Sequence, residues 1–467
     1  MHKKLMIASL LMTLSGCMVG PDYKRPHIQT PSSYRHQQHA VAEAADMRWW
    51  KQFHDPVLNQ LMVEALANNK DIKIATANIE QASGLLMTTR SALFPQINYN
   101  ANGTRALSSE NIAIPEPSPN PYNNFQLLAG ASWEIDLWGR IRRQTESANA
   151  VLLASEEAKR GVVLSLVAEV GSAYIQLRAL DEQLEISKKT LRAYKKSLRL
   201  FTLQHQYGQV SLINVEQARS QYETAAATIP QIRVQITNTE NALSVLLGRN
   251  PGPIPRGKKI TALSLPAIPA GIPSQLLERR PDILQAEQNL IAANAQIGAA
   301  RALYFPTISL TGALGKNSEA LGNLFTGSSK TWNYSGSITG PIFTAGAIHG
   351  QVVQATGAMQ ANLASYEQTI QKAFADVDNA LTSRYEFHKK MTAQDNMVNA
   401  YKKYKFLAWH KYNEGYSPYL EVLFAESQLY PAQLTAAQTK AALLISAINI
   451  YKAMGGGWVD EAEKMTG

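Results

Sequence analysis

Residues 140–207 read RIRRQTESANAVLLASEEAKRGVVLSLVAEVGSAYIQLRALDEQLEISKKTLRAYKKSLRLFTLQHQY. These 68 positions contain no proline, and only Gly161 and Gly171 interrupt a run rich in Ala, Leu, Glu, Gln and Lys. At about 1.5 Å per residue such a run could form a helix of roughly 100 Å. Leu164, Val167, Tyr174, Leu177, Leu184 and Leu191 recur at spacings of three and seven, the signature of a coiled-coil-like seam. A helix this long exceeds ordinary globular lengths and is itself informative. It is predicted to end at Gly208, where a second helical pattern over 212–247 begins. The pair reads as an antiparallel helical hairpin.

Working outward, the hairpin occurs twice. Ala193-Tyr194-Lys195-Lys196 returns as Ala400-Tyr401-Lys402-Lys403, and the same offset carries Gly208 onto Gly415, Val215 onto Val422 and Gly139 onto Gly346. Upstream, Asp71-Ile72 matches Asp282-Ile283 and Phe94-Pro95 matches Phe305-Pro306. The stretch 346–412 is again free of proline, and a second pattern covers 419–453. Two related halves of about 200 residues, rather than an array of short solenoid units, account for these spacings.

Between the helical runs lie four segments that alternate with period two. Ile97, Tyr99 and Ala101 alternate with Gln96, Asn98, Asn100 and Asn102, and Phe125 to Ile135 does the same. Ile308, Leu310 and Gly312 alternate with Thr307, Ser309 and Thr311, and Trp332, Tyr334 and Ile338 with Asn333, Ser335, Ser337 and Thr339. About ten alternating residues suit a strand with lipid on one face and water on the other. A half-buried sheet of a soluble protein alternates identically. If the strands do enter lipid, four cannot close a barrel, because unpaired edge amides are costly there and single-chain barrels need about eight. Several copies must then pool strands; two would give a filled eight-stranded barrel and three a twelve-stranded one with a lumen.

The N-terminus tips the balance. Met1-His2-Lys3-Lys4 precedes an apolar core, Leu5 to Leu14, and then Ser15-Gly16-Cys17. A basic start with a short apolar stretch is an export signal. Cys17 stands at the small-residue cleavage point, as in a bacterial lipobox, and is the chain's single cysteine, which excludes a disulfide framework. Acylation there would hold the protein to a bilayer, since each buried methylene adds roughly 0.8 kcal/mol. Met18, rather than an aspartate, follows the cysteine and argues for the outer membrane. The net charge of +9 falls to +7 without Lys3 and Lys4 and is spread thinly, so nucleic acid is not an expected partner. His27, His36 and His39 lie in a Pro/Gln-rich stretch and read as a solvated segment rather than a metal site. No Gly-x-Ser-x-Gly, His-Glu-x-x-His or Walker loop occurs, so neither catalysis nor a cofactor is expected.

The chain resembles the TolC-like outer-membrane efflux proteins, within them the OprM/NodT-type lipoproteins of RND efflux systems. The resemblance rests on Cys17-Met18-Val19-Gly20-Pro21-Asp22-Tyr23 and on Trp49-Trp50 ahead of Phe53-His54-Asp55-Pro56. It rests most firmly on Leu276-Leu277-Glu278-Arg279-Arg280-Pro281-Asp282-Ile283, continuing through Ala293-Asn294-Ala295-Gln296-Ile297-Gly298 to Phe305-Pro306. It implies an α+β membrane protein: a homotrimer sharing a 12-stranded β-barrel, continued by a long α-helical periplasmic tunnel. It also implies a periplasmic adaptor and an inner-membrane RND pump as partners, outer-membrane lipid around the barrel, and diacylglycerol and an N-acyl chain on Cys17. The expected layout is a signal peptide 1–16, a lipid-anchored extension 17–59, and a first repeat 60–247 with strands near 95–105 and 124–137. An equatorial segment 248–275 follows. A second repeat 276–454 carries strands near 306–315 and 331–343, and a tail covers 455–467.

In this family the second hairpin turns through Tyr-x-x-Gly before a stretch whose carboxylates constrict the closed tunnel. Here Tyr412-Asn413-Glu414-Gly415 leads to Glu421-Val422-Leu423-Phe424. The resemblance thus implies a periplasmic gate at Glu421 and Tyr412, with Phe424 where a second carboxylate is usual, and Asn214 at the corresponding place after Gly208. Solvated or packed helix residues are the plainer reading of each. Two other functions share the features: the outer component of type I protein secretion, and a non-conducting periplasmic lipoprotein scaffold.

Overall fold

The computed structural model describes residues 18–31, 33–35, 48–109, 111, 119–266, 276–456 and 459. Cys17, His36 and His39 lie outside the described residues. Among the described residues, helices α1 (Pro56–Asn68) and α2 (Lys70–Ser91) precede strands β1 (Gln96–Ala106) and β2 (Tyr122–Ile135). Helices α3 (Arg140–Gln206) and α4 (Leu212–Leu246) follow, then the short α5 (Leu276–Arg279) and α6 (Pro281–Ala302). Strands β3 (Thr307–Ser318) and β4 (Lys330–Thr339) lead into α7 (Ala347–Asn413) and α8 (Tyr419–Ala453). One order therefore runs twice: a helix of 22 residues, two strands, a helix of 67 and a helix of 35.

Local chemistry sets the element ends. Asp136 turns its carboxylate onto the backbone N–H groups of Ile141 and Arg142, at 3.0 and 2.9 Å, and so satisfies two donors of the first turn of α3. That role takes Asp136 out of the alternating strand, and β2 stops at Ile135 instead of 137. β4 ends at Thr339, four residues before the expected 343. Gly340-Pro341 follows it, and proline has no N–H to offer a ladder. Ile342 and Phe343 lie exposed beyond the strand.

The chain divides into two compact units. One holds Asn78–Glu156 and Gln285–Tyr366 with the N-terminal residues up to His27. It contains a single antiparallel sheet in the order β1-β2-β3-β4. Its register aligns Ile97 with Ala131, Trp133 with Leu310, Ile308 with Ile338 and Leu314 with Trp332. The alternating apolar residues of all four strands consequently share one face. The segment after Met18 is tied into the same unit. Val19 donates its N–H to the Trp138 carbonyl at 3.1 Å, and buried Arg143 pairs with Asp22 at 2.6 Å. Asn294 donates to the Pro21 carbonyl, and Tyr23 to Glu287.

The other unit, Ile28–Ala77, Glu157–Leu284 and Glu367–Gly467, carries the main core. Trp49 stacks on Tyr451 and meets Trp50 edge-on, over Leu58, Met62, Val167, Tyr174 and Ile448. Leu164, Val167, Tyr174 and Leu177 of the seam are buried, whereas Leu184 and Leu191 are half-buried. One 18-residue stretch of α3 is apolar enough to cross a membrane, yet 67% of it is buried inside the chain; it is core. Asp55 caps α1 through Val57 and also accepts from Tyr174 Oη and Lys258 N, each at 2.9 Å. A buried carboxylate thereby pins the 248–266 segment onto α3. Burial, reinforced by Asp55, pushes the Tyr174 phenol above its usual range.

Candidate functional site: an open sheet and two hairpin ends

In the sheet unit the apolar face is bare. Ile97 is 81% exposed and Tyr334 82%, with Tyr99, Leu314, Trp332 and Ile338 also exposed. Transferring a face of this kind into lipid removes apolar area from water at roughly 25 cal/mol per Å². The opposite face carries Gln96, Asn98, Asn100, Ser309, Thr311, Asn333, Ser335 and Ser337, with Ser309 and Ser337 hydrogen-bonded across the strands at 2.7 Å. β3 has 12 residues, about 40 Å of strand, which still spans an apolar band about 25 Å tall when tilted by about 40°. β1 and β4 are the sheet's outer strands, and neither has a second strand neighbour among the described residues.

In the other unit the ends of the two helical hairpins pack against each other. Gly208 and Gly415 both take positive φ, +72° and +81°. In each turn the glycine N–H and the next N–H bond back to the closing helix: Gln209 to Gln204 at 2.8 Å, and Tyr416 to Lys411 at 2.8 Å. This is the left-handed helix stop that glycine adopts without a Cβ penalty. Phe201, Val215, Ala218, Ala408, Tyr419, Val422 and Ala425 form one apolar cluster joining the two hairpins.

The residues singled out in sequence fall differently around that cluster. Tyr412 is half-buried in it, its ring 5.5 Å from Tyr419 and 5.9 Å from Trp409. Phe424 is 55% exposed and touches only the edge of Tyr404 among the described ring contacts. Glu421 and Asn214 are half-buried at the starts of α8 and α4, and none of the described ion pairs involves Glu421. The structure thus brings Tyr412 into the packing and leaves Phe424 free of it.

Sequence reasoning passed over Glu426. It is only 4% exposed, pairs with Lys405 at 2.8 Å and accepts from Trp409 Nε1 at 3.3 Å. Its backbone carbonyl accepts from Tyr194 Oη. Burial, together with the Glu426 charge, holds the Tyr194 and Tyr419 phenols above their usual range. The signal available was the asymmetry of the duplication, which sets Arg219 opposite Glu426 and Leu198 opposite Lys405. Among the described residues no group of three or more His, Cys, Asp or Glu could hold a metal ion.

A four-stranded sheet with one exposed apolar face, in a chain that also folds two 67-residue helices, defines a TolC-like outer-membrane channel protein. The chain belongs to the outer membrane efflux protein family, whose model matches residues 61–249 and 272–456. It is 36% identical over 464 residues to a probable efflux pump outer membrane protein, TtgC, of Pseudomonas putida, across 98% of this chain and 96% of that one. The Campylobacter jejuni CmeC outer membrane channel superposes with a TM-score of 0.90 at 26% identity, covering 96% of this chain and 98% of CmeC. The open state of the Neisseria gonorrhoeae MtrE outer membrane channel gives 0.86 at 32% identity, covering 95% and 99%. The protein is accordingly an outer-membrane component of an efflux system, in a family of channels rather than of enzymes. These likenesses favour efflux over the secretion and scaffold readings.

Proposed function

We propose that three copies pool their strands into one twelve-stranded barrel, conducting passively what an inner-membrane RND pump and a periplasmic adaptor deliver. The observation that carries this reading is the open sheet: two outer strands without a further strand among the described residues, and a lipid-suited face already exposed. In hydrocarbon each unpaired backbone group costs several kcal/mol, so the edges must pair with other copies. Twelve strands leave a lumen, and the Asn, Ser and Thr face suits a water-filled one. The long helices of each repeat would continue the conduit into the periplasm.

Acylation of Cys17 belongs to the same reading. It is supported by the strapping of the next residues, Val19 to Trp138 and Asp22 to Arg143, beside the strand end at Ile135. The gate is assigned to Glu421 as an acidic ring and Phe424 as a steric one, the latter supported by its exposure at the hairpin end. Asn214 would stand beside them as a neutral counterpart.

The test is conductance of the purified protein in planar bilayers, with its mass measured in mild detergent. Trimers that conduct, with larger conductance for Phe424→Ala and altered cation selectivity for Glu421→Ala, are the expected outcome. A monomer that conducts nothing would overturn the pooled barrel, and unchanged values for both variants would remove the gate. Cys17→Ser should leave conductance intact and release the protein from metabolic labelling with palmitate.

A further inference from the structure

The apolar face of the sheet is not apolar to its end. The register that sets Leu314 opposite Trp332 sets Lys316 directly opposite Lys330, on the same face and one pair further along. Both strands end there: β3 at Ser318 and β4 at Lys330. This is the end joined by the 319–329 loop, away from Ile135 and Thr339, where the chain passes on toward the long helices. On the channel reading above it is the outward-facing rim, and the inference rests on that reading.

Two like charges directly opposite one another destabilise a strand pair, their Cβ atoms lying about 5 Å apart. Among the described residues no carboxylate pairs with Lys316, Lys330 or Arg105, the last a third cation higher on the same face of β1. Glu319 directly follows β3 but enters none of the described ion pairs. The arrangement is nevertheless held in place. Lys316 Nζ donates to the Thr326 carbonyl at 2.6 Å, and that loop is braced by Thr326 Oγ1 and Ser329 Oγ on the Asn323 carbonyl, at 2.7 and 2.6 Å. One bond leaves the Lys316 ammonium two further donors and Lys330 its full set.

Directly beneath the lysine pair, Trp332 and Tyr334 stack with ring centroids 5.8 Å apart beside exposed Leu314. Aromatic rings of this kind mark the headgroup level of a barrel, and the lysines stand about 7 Å above Trp332 and about 13 Å above Tyr334 along the strand. An occupant must therefore present an anion at headgroup height and an apolar body below it. We propose that Lys316 and Lys330 bind a phosphate of a phosphorylated glycolipid of the outer leaflet, whose acyl chains pack on Leu314, Trp332 and Tyr334. The ligand neutralises the repulsion between the lysines, which a free anion would also do. The apolar surface below commits the site to a lipid.

The experiment titrates the purified full-length protein in non-ionic detergent with a bis-phosphorylated hexa-acyl glycolipid and counts retained lipid by native mass spectrometry. The same glycolipid stripped of phosphate, phosphatidylglycerol and inorganic phosphate serve as comparisons. The phosphorylated glycolipid should bind about tenfold more tightly than either lipid comparison, and K316Q/K330Q should lose about that factor while K316R/K330R keeps it. The proposal is overturned if K316Q/K330Q binds like the unaltered protein, if removing phosphate or substituting phosphatidylglycerol changes nothing, or if millimolar inorganic phosphate displaces the lipid. Both lysines lie at a surface, so an unchanged oligomer on gels verifies that the variants fold. Conductance of the same preparation reads the channel separately; a conducting protein indifferent to glycolipid phosphate fails this proposal alone.

Discussion

The two hairpin ends share a backbone and differ in chemistry. Both stop a 67-residue helix on a glycine at positive φ and start a 35-residue helix four residues later. After Gly208 the start is capped by Ser211, whose hydroxyl accepts from Ile213, and the end offers Asn214, Gln217 and exposed Arg219. After Gly415 the corresponding start is Pro418, with no side-chain cap, and the residues are Glu421, Phe424 and buried Glu426. Trp409, Tyr412 and Tyr419 crowd the second end, whereas Thr202, His205 and Leu212 hold those places in the first. Duplication has kept the turn and changed what the turn presents. Both ends share the backbone bonds and one apolar cluster, and the second adds aromatic packing around a buried charge.

Removing that charge is the strongest way to break the comparison. Glu426→Ala should destabilise the second end by about 2 kcal/mol, because Lys405 and Trp409 lose a partner in a largely dry setting. Arg219→Ala, at the matching place, should cost under about 0.5 kcal/mol, since its pairing with Glu216 is exposed. Hydrogen exchange of amides in 400–425 and 195–220 measures both as local openings. Equal protection losses at the two ends would mean that the buried carboxylate does not organise the second.

The glycines sharpen the likeness rather than the difference. Gly208→Ala and Gly415→Ala should each cost about 1 kcal/mol through the left-handed conformation alone, because a Cβ at either place meets nothing within 4 Å. The same exchange measurement reads this. A marked inequality would show that the second turn is held by its aromatic neighbours and not by its own backbone.

How much of this was legible follows from where each feature is encoded. The 140–207 reading matches the helix Arg140–Gln206, and 346–412 matches Ala347–Asn413, because absent prolines and terminal glycines act on the local backbone. The strand faces were legible too, since period two survives any register that keeps the faces aligned. The strand ends were not. Asp136 reads as one more alternating residue until its carboxylate is seen capping α3. At the hairpin ends, motif spacing pointed to Tyr412 and Glu421, but the contact of Tyr419 with Phe201, 3.9 Å between ring centroids, joins residues more than 200 apart. Glu426 was hidden for the same reason. A carboxylate on a helix looks alike in sequence whether it faces water or an opposing Lys and Trp.

The smallest expected effect concerns a difference between the halves higher on the helices. Glu185 of α3 pairs with Lys189 at 2.8 Å and with Lys259, beyond α4, at 2.7 Å. Its place in α7 is taken by Thr392. Lys189 first, and then Lys259, pull the Glu185 carboxyl down to about 2 from the usual range near 4.3. A lowered carboxyl contributes its stabilisation in full above the usual range and loses it as the pH falls from there through about 2. The Glu185 side chain is 38% exposed, so salt screens the contribution. Protection of amides around 185–189 and 258–260 should therefore fall on acidification below about pH 4 in low salt, and fall less in high salt. Glu185→Gln should flatten that acid limb while leaving the corresponding part of α7 untouched. An acid limb of equal size in the variant would show that the tie between α3 and Lys259 is made by the Arg256 pairs with Asp181 and Glu240 instead.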